Sequence, residues 1–502
     1  MPQLTGEPTP ITLDARCTLE APDLIGAVDV TDARTHVRAS GHGAQEQSLL
    51  DALDAEEMET ALMFEMEVEE DRAPKGRGDR HGGRRRAGLQ ATTRQGEEAI
   101  ILRMDRPPAG KEVAVLYTDE QGVSRWVFPQ KDAATRGRSG RELTFHLPRK
   151  SAPVTPAQSK RRGPISKLGR RMVRMLMWKT DDIVGQGVNR FVSDWEQRKR
   201  PYGWRAVRGQ RFTPNPDWDA LRQGRALLLL HGTFSMGEIA FDGLLRSPVF
   251  PRLADYYGDR IIAFNHPSLH HSPRENAQTM LDLLPHGVTL DLDIVTHSRG
   301  GLVGRVLTEQ LAALDTGPRT LHVRRAIFVA APLRGTILAD GDNWIDLIDR
   351  YTNLLTNLPD NAYTLLMEAL LAAVKIVGHA GLAALSGLNS MWPDGDFLRT
   401  LNGGAEHDTE YYALSADFQP REESRLKALK SNARDMLIDA LFGEENDGVV
   451  PTTGCYAINT EASGFPLPEE RRKIWSLQSD IHHTNYFVHD EVNDQIAKWL
   501  MA

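Results

Sequence analysis

A serine between a strand-like segment and a helix-like segment is the residue of this chain whose surroundings most suggest covalent chemistry. Ser298 follows the largely apolar segment 290–296 and precedes Arg299 and Gly300. The five residues that end at Gly300 approximate the G-x-S-x-G turn, with Thr296 in place of the first glycine. Such a turn holds its serine in a strained conformation and needs a small residue where the helix passes close to the strand. The pattern predicts that Ser298 is a nucleophile.

An upstream apolar run supplies the second feature that this chemistry needs. Residues 226–230 are all apolar, and His231 and Gly232 follow them directly. A nucleophile that attacks a carbonyl requires backbone N–H groups that stabilise the resulting oxyanion, and a glycine lets the backbone turn towards the serine. We therefore predict that the N–H groups of Thr233 and Arg299 form an oxyanion hole.

Two downstream segments could supply an acid and a base for this serine. Asp447 lies in a loop with a glycine and a strand-like exit, and His482 and His483 precede an amphipathic helix at about 490–501. Taken singly, Asp447 with its glycine could be an ordinary turn and the histidines could be solvated loop residues. Their joint occurrence in the chain order serine, acid, histidine favours a catalytic triad.

The segments between these motifs predict the architecture that would position them. Short apolar runs alternate with a helical segment at about 274–284, which predicts a mainly parallel sheet with helices on both faces. Reacting residues are then expected at the carboxyl ends of the strands, where Gly232 and Ser298 lie. The runs read as strands are 226–230, 260–264, 290–296, 325–331 and 410–414.

Residues from about 204 to 502 resemble the lipase-like branch of the α/β-hydrolase superfamily. The resemblance rests on the motifs His231-Gly232-Thr233, Thr296 to Gly301, Ala330 to Thr336, Asn446 to Pro451, and His483. It implies an α/β-hydrolase fold with a mostly parallel central sheet and a helical cap. It also implies that Asp447 is the triad acid. In the bacterial lipases that this chain resembles, the base precedes the last helix, and this implies that the base is His483 rather than its neighbour His482.

Composition limits the function classes. The chain has 502 residues, of which 40% are hydrophobic, so it can form two or three domains with sizeable cores. Its net charge of -8 argues against nucleic acid as a partner. The first ten residues have neither a basic start nor an apolar run, and there are only two cysteines, so we expect a cytoplasmic protein. We predict no cofactor and no metal site.

The first 150 residues predict a smaller β-rich accessory domain without catalytic residues. An Arg- and Gly-rich excursion at 72–96 interrupts it, and a basic helical linker is expected at 151–203. Within that linker, residues 160–179 carry eight Lys or Arg and no acid, with apolar residues at helical spacing. The apolar stripe favours packing on the catalytic domain, and peripheral contact with an anionic membrane is the alternative. The predicted strands are 59–69, 98–104, 111–118, 124–128 and 141–147.

A strongly apolar insertion at about 340–402 is expected to cap the catalytic site. An apolar cap would line an acyl-binding site, so we predict a serine hydrolase of carboxylic esters, with a lipid-like or other small ester as its substrate. A serine amidase or peptidase and an acyltransferase could use the same triad. A catalytically silent binding protein is a further alternative. The sequence does not identify a partner for the N-terminal domain.

Overall fold

The computed structural model describes most of the chain outside several loops. The predicted excursion at 72–96 and residues 151–168 of the predicted linker lie outside the described residues. The described residues are 1–31, 43–71, 100–130, 142–149, 169–180, 183, 187–355, 358, 360–379, 385–418, 442–462, 464–476 and 479–502.

The strands of the described residues fall into three sheets. In chain order they are β1 (Gln3–Thr5), β2 (Ile11–Thr12), β3 (Cys17–Glu20), β4 (Leu24–Val30), β5 (Glu59–Asp71), β6 (Ile100–Asp105), β7 (Lys111–Thr118), β8 (Ser124–Val127), β9 (Glu142–Leu147), β10 (Gly169–Lys179), β11 (Gly203–Arg208), β12 (Arg211–Pro214), β13 (Ala226–Leu230), β14 (Ile261–Asn265), β15 (Thr289–His297), β16 (Thr320–Val329), β17 (Glu410–Ala416) and β18 (Arg472–Trp475).

The α-helices of the same residues are mostly short. They are α1 (Gly43–Ala55), α2 (Val188–Lys199), α3 (Trp218–Leu221), α4 (Gly237–Ala240), α5 (Asp242–Arg246), α6 (Phe250–Tyr257), α7 (Pro273–Asp282), α8 (Gly300–Glu309), α9 (Trp344–Leu354), α10 (Asp360–Gly378), α11 (Ser386–Asn389), α12 (Asp396–Asn402) and α13 (Asp490–Leu500). None of them has the length and apolar character that crossing a bilayer requires.

The chain forms two compact units. The first contains the described residues of Met1–Gly185 and Tyr351–Ala380. The second contains those of Gln186–Arg350, Gly381–Arg421 and Ile438–Ala502. Helix α2, which the sequence places in a linker, therefore belongs to the second unit.

The first unit is built on two antiparallel sheets. One has the strand order β1-β4-β5-β10-β7-β8 and the other the order β2-β3-β6-β9. Their inward side chains share one core, in which Phe64 and Val115 of the larger sheet join Leu102 and Phe145 of the smaller. The five strands predicted in this part of the chain are confirmed as β5 to β9.

The basic helix predicted for 160–179 is wrong for the residues that the structure describes, because residues 169–179 form strand β10. This strand pairs with β5 on one side and β7 on the other. Val173 and Met175 point into the sheet-to-sheet core, whereas Arg174 lies on the opposite face and forms an ion pair with Glu46 of α1. The apolar residues of this run fit helical spacing, which suggests a helix. A strand that is buried on both faces of its sheet also has a near-continuous apolar run, so the pattern fits both structures.

Helix α10, which the sequence predicts as part of a cap, packs in the first unit instead. It lies against α1 and also contacts β7. Lys375 donates to the Glu56 carboxylate over 3.3 Å, and Gly378 passes close to the indole of Trp178. The apolar surface of α10 is therefore covered within the first unit. Helices α11 and α12 remain in the second unit.

The second unit confirms the predicted α/β class. Its sheet has the order β12-β11-β14-β13-β15-β16-β17-β18. Strand β11 runs antiparallel to both of its neighbours, and the pairs from β14 to β18 are parallel. Strands β13 and β15 are adjacent, so the residues that follow their carboxyl ends, His231 to Thr233 and Ser298, meet at one edge of the sheet.

Candidate active site

Ser298 occupies a strained turn between β15 and α8. Its φ of 52° lies in the left-handed region, which non-glycine residues rarely adopt. The Ser298 N–H donates to the Val329 carbonyl over 2.9 Å, which ties the turn to the end of β16. A Cβ on Gly300 would lie 2.6 Å from the carbonyl oxygen of His231, so only glycine allows α8 to begin this close to β13.

Thr296, the departure from the five-residue pattern, is accommodated by two glycines of α8. The threonine side chain is fully buried, and its hydroxyl donates to the Ile327 carbonyl. A Cβ on Gly301 would lie 3.4 Å from Thr296 Oγ1, and one on Gly304 would lie 3.2 Å from Thr296 Cγ2. The helix therefore supplies the clearance that a glycine in the strand would otherwise give.

The structure brings Ser298, His483 and Asp447 into one hydrogen-bonded line. His483 Nε2 lies 2.9 Å from Ser298 Oγ, and His483 Nδ1 lies 2.9 Å from Asp447 Oδ2. The three side chains are all buried. Because a carboxylate only accepts hydrogen bonds, Nδ1 carries the imidazole proton and Nε2 is left to accept the serine hydroxyl proton.

The neighbouring His482 points elsewhere. Its Nδ1 lies 3.1 Å from the Thr484 hydroxyl, and its ring packs edge-on against Phe418. The backbone N–H of His483 donates to the Asp447 carbonyl over 2.9 Å, which fixes the loop that carries both histidines. Of the two adjacent rings, only that of His483 bonds to Ser298 among the described contacts.

Asp447 is held by four donors. Its Oδ1 accepts from the N–H groups of Val449 and Val450, and its Oδ2 accepts from His483 and from the Tyr486 hydroxyl at 3.2 Å. Burial raises the pKa of Asp447, but the charge and hydrogen bond of His483, together with the two N–H donors, outweigh it, so its pKa lies below the ordinary value. The acid is therefore ionised at neutral pH.

The two predicted oxyanion donors flank the serine. A Cβ on Gly232 would lie 2.6 Å from Ser298 Cβ, so the peptide that carries the Thr233 N–H runs directly against the nucleophile. The Arg299 N–H begins the helix that follows Ser298. Within the described residues, neither N–H donates to a protein acceptor.

The side chain of Arg299 is held inside the protein by hydrogen bonds. It is fully buried. Nε donates to the Gly387 carbonyl over 2.8 Å, and Nη2 donates to the His271 carbonyl. Nη1 donates to the side-chain oxygen of Asn276 over 3.0 Å. Burial lowers the pKa of Arg299 to about 10, so it stays charged at neutral pH. Arg299 anchors the loops around the elbow.

His231 fixes the orientation of the peptide between Gly232 and Thr233, a contact that its position in the sequence did not reveal. Its Nε2 accepts the His266 N–H over 3.0 Å, so the ring proton is on Nδ1, which donates to the Gly232 carbonyl over 2.9 Å. In a trans peptide the C=O and the next N–H point in opposite directions, so the Thr233 N–H points away from the ring. Burial lowers the pKa of His231 to about 4 and keeps the ring neutral.

His297 joins the segment that ends at Ser298 to the loop that carries His483. Its Nε2 donates to the backbone carbonyl of His483 over 2.8 Å, across 186 residues of chain. Burial lowers the pKa of this ring to about 3. Neither His297 nor Tyr486 stands in a local pattern that reveals its partner, because each partner comes from a distant part of the chain.

Comparisons with known proteins place this chain in a family. The model of a family described as a domain of unknown function (DUF7379) matches residues 195–501. A comparison with curated proteins finds no match. Among solved structures, the chain is similar to lipase 1 from Pelosinus fermentans, with 14% identity, coverage of 55% of this chain and 98% of that chain, and a TM-score of 0.38. It is also similar to the Vlm2 thioesterase domain, with 13% identity, coverage of 55% and 91%, and a TM-score of 0.27.

Proposed function

We propose that this chain, which belongs to the family described as a domain of unknown function (DUF7379), is a serine hydrolase that cleaves carboxylic esters. The observation that carries the proposal is the buried line from Ser298 Oγ through both ring nitrogens of His483 to Asp447, with 2.9 Å at each step. A purely structural role for these residues would not require a serine in the left-handed region at the end of a strand.

The proposed reaction proceeds through an acyl-enzyme. Ser298 Oγ attacks the ester carbonyl carbon while His483 Nε2 takes the hydroxyl proton, and Asp447 stabilises the imidazolium that forms. The tetrahedral intermediate collapses, the C–O bond to the alcohol breaks, and His483 returns its proton to the leaving oxygen. A water then attacks the acyl group by the same steps and releases the carboxylic acid and free Ser298.

The N–H groups of Thr233 and Arg299 would hold the negative oxygen of each tetrahedral intermediate. Removal of one such donor typically costs about 10²- to 10³-fold in kcat. The hydrogen bond from His231 to Gly232 O keeps the Thr233 peptide oriented before substrate binds. A donor that is oriented in advance needs little reorganisation in the transition state.

We propose carboxylic esters as the substrate class and include lipid-like esters as one group to test. The prediction of a lipid-like substrate depends on an apolar cap over the site. The longest helix of that segment, α10, packs in the first unit instead. Helix α11 lies near the elbow, where Arg299 binds its Gly387. A serine amidase and an acyltransferase share the same covalent step and differ in leaving group or acceptor.

The test combines a covalent probe with a substrate screen. A fluorophosphonate should label the wild type at Ser298 and should not label Ser298→Ala, because the Ser298 hydroxyl lies 2.9 Å from a histidine ring nitrogen that can take its proton. Esters of increasing acyl length, with matched amides, should then be hydrolysed by the wild type alone. Labelling that persists in Ser298→Ala would contradict the proposal. Hydrolysis of the amides but not of the esters would show that the protein is a serine amidase.

A further inference from the structure

Glu196 is a buried carboxylate that the reaction described above does not use. It lies on α2, and its side chain is fully buried. We propose that Glu196 is the positioning residue of the oxyanion site: it fixes the loop 266–270, and this loop fixes the backbone on both sides of Thr233. The inference rests on the proposed function, because it concerns the donor that would stabilise the reaction's oxyanion.

The carboxylate of Glu196 binds three consecutive backbone N–H groups. Oε1 accepts from Ser268 at 2.6 Å and from Leu269 at 2.9 Å, and Oε2 accepts from the N–H of His270 at 3.3 Å. The His270 ring adds a fourth donor through Nδ1, 2.5 Å from Oε2. Three successive N–H groups that converge on one anion determine the path of the loop over these residues.

The loop in turn holds the residues before and after Thr233. On one side, the His266 N–H binds His231 Nε2, and the His231 ring binds the Gly232 carbonyl. On the other side, the Phe234 N–H donates to the Ser268 hydroxyl over 3.1 Å. The peptide that presents the Thr233 N–H is therefore fixed at both ends by the loop that Glu196 organises.

A cation binds the residue that follows this loop. The Arg299 guanidinium donates to the carbonyl of His271, so an anion accepts from the loop's N–H groups and a cation holds the chain where the loop ends. Burial raises the pKa of Glu196, but the hydrogen bonds from His270, Leu269 and Ser268 outweigh it, and the pKa is lowered. A buried ionised carboxylate is costly unless such donors satisfy it. Its ionisation here is consistent with a fixed loop.

Three variants test the positioning role. Glu196→Ala removes every acceptor, whereas Glu196→Gln keeps one oxygen for Ser268 and Leu269. Ser268→Ala removes the acceptor of the Phe234 N–H and a long hydroxyl bond of 3.5 Å to Glu196 Oε1, and it leaves the backbone N–H groups of the loop bound to Glu196. The matched control is Glu309→Gln, because Glu309 is also a buried carboxylate on a helix and its partners are Arg305 and Tyr411, away from the loop.

The measurements are kcat and KM for p-nitrophenyl butyrate and the rate constant of fluorophosphonate labelling at Ser298. In Glu196→Ala we expect kcat to fall by about 10- to 100-fold, less than for outright loss of an oxyanion donor. KM should change by less than about twofold, because the donor acts mainly in the transition state. The labelling rate should fall in parallel. Glu196→Gln and Ser268→Ala should give smaller losses of the same kind, and Glu309→Gln should keep the wild-type kcat.

The outcomes separate this inference from the proposed function. If the wild type neither labels at Ser298 nor hydrolyses esters, the proposed function fails first. If the wild type is active and the folded Glu196 and Ser268 variants match it in kcat and labelling rate, only the positioning role of Glu196 is overturned. A loss of kcat in Glu309→Gln as large as in Glu196→Gln would also overturn it, because any buried carboxylate would then have the same effect.

Discussion

At the level of single residues, the hydrogen bonds of two adjacent histidines decide which of them can act as a base. The His483 ring is bonded at both nitrogens, to Ser298 and to Asp447. The His482 ring is turned towards Thr484 and Phe418. The two residues begin a turn that the Asn485 N–H closes on the His482 carbonyl, and in this turn their rings face different partners.

The two histidines should therefore differ strongly when each is replaced. His483→Ala should lower kcat for a short-chain ester by about 10³-fold or more, because the serine loses its proton acceptor. His482→Ala should stay within several-fold of the wild type. Steady-state kinetics on the two purified variants measure the difference, with thermal unfolding as the check that both are folded. The opposite order of activities would assign the base to His482.

Local patterns at this scale predict the triad but not the residues that support it. The turn pattern around Ser298 suggests a role by itself, whereas Asp447 and His483 gain theirs from their joint occurrence downstream of that serine. His231, Tyr486 and Glu196 act through partners 35, 39 and 72 residues away. A lone His, Tyr or Glu has many uses, so only the fold reveals these contacts.

At the level of elements, the close approach of α8 to β13 is what presents Ser298. Gly300 lies between the start of the helix and the carbonyl groups that end β13, where a Cβ has no room. The elbow can be predicted from sequence because the pattern includes this glycine. The accommodation of Thr296 by Gly301 and Gly304 cannot, because it depends on the register of the helix against the strand.

Gly300→Ala should test this packing. The added methyl group must push α8 away from β13, and overpacking of this kind costs about 1–3 kcal/mol of unfolding free energy. Displacement of the helix should also slow fluorophosphonate labelling of Ser298. The control is Gly341→Ala, because a Cβ there would meet no atom within 4 Å. Urea unfolding and labelling rates measure both effects. Equal stability and labelling of Gly300→Ala and wild type would show that the approach is not restrictive.

At the level of the whole molecule, the first unit includes a segment whose sequence interrupts that of the second unit. The sequence that lies between β16 and β17 of the catalytic sheet contributes α10 to the first unit. The apolar character of this insertion correctly predicts buried helices, but composition does not say what buries them. Likewise, the run at 169–179 is apolar enough to be buried, and only the presence of neighbouring strands β5 and β7 makes it a strand.

The buried neutral histidines of the active site should make the folded molecule sensitive to mild acid. Burial lowers the pKa of His297 to about 3 and that of His231 to about 4. The unfolded chain takes up a proton at each ring below its ordinary pKa of about 6.5, and the folded chain does not. Stability therefore falls as the pH drops from 7.5 to 5. The carboxylates with lowered pKa values, Asp447 and Glu196, lose their stabilising contribution only below this window.

His297→Gln should isolate the contribution of His297 to this pH dependence of stability. Glutamine retains an N–H donor for the His483 carbonyl and has no proton to gain between pH 7.5 and 5. Protonation of one unfolded histidine at pH 5 corresponds to about 2 kcal/mol. The loss of unfolding free energy between the two pH values should therefore be smaller in the variant than in the wild type by that amount. Urea unfolding at both pH values gives the comparison. The same pH dependence in both proteins would mean that His297 takes up its proton in the folded state, which its burial and its bond to the base loop oppose.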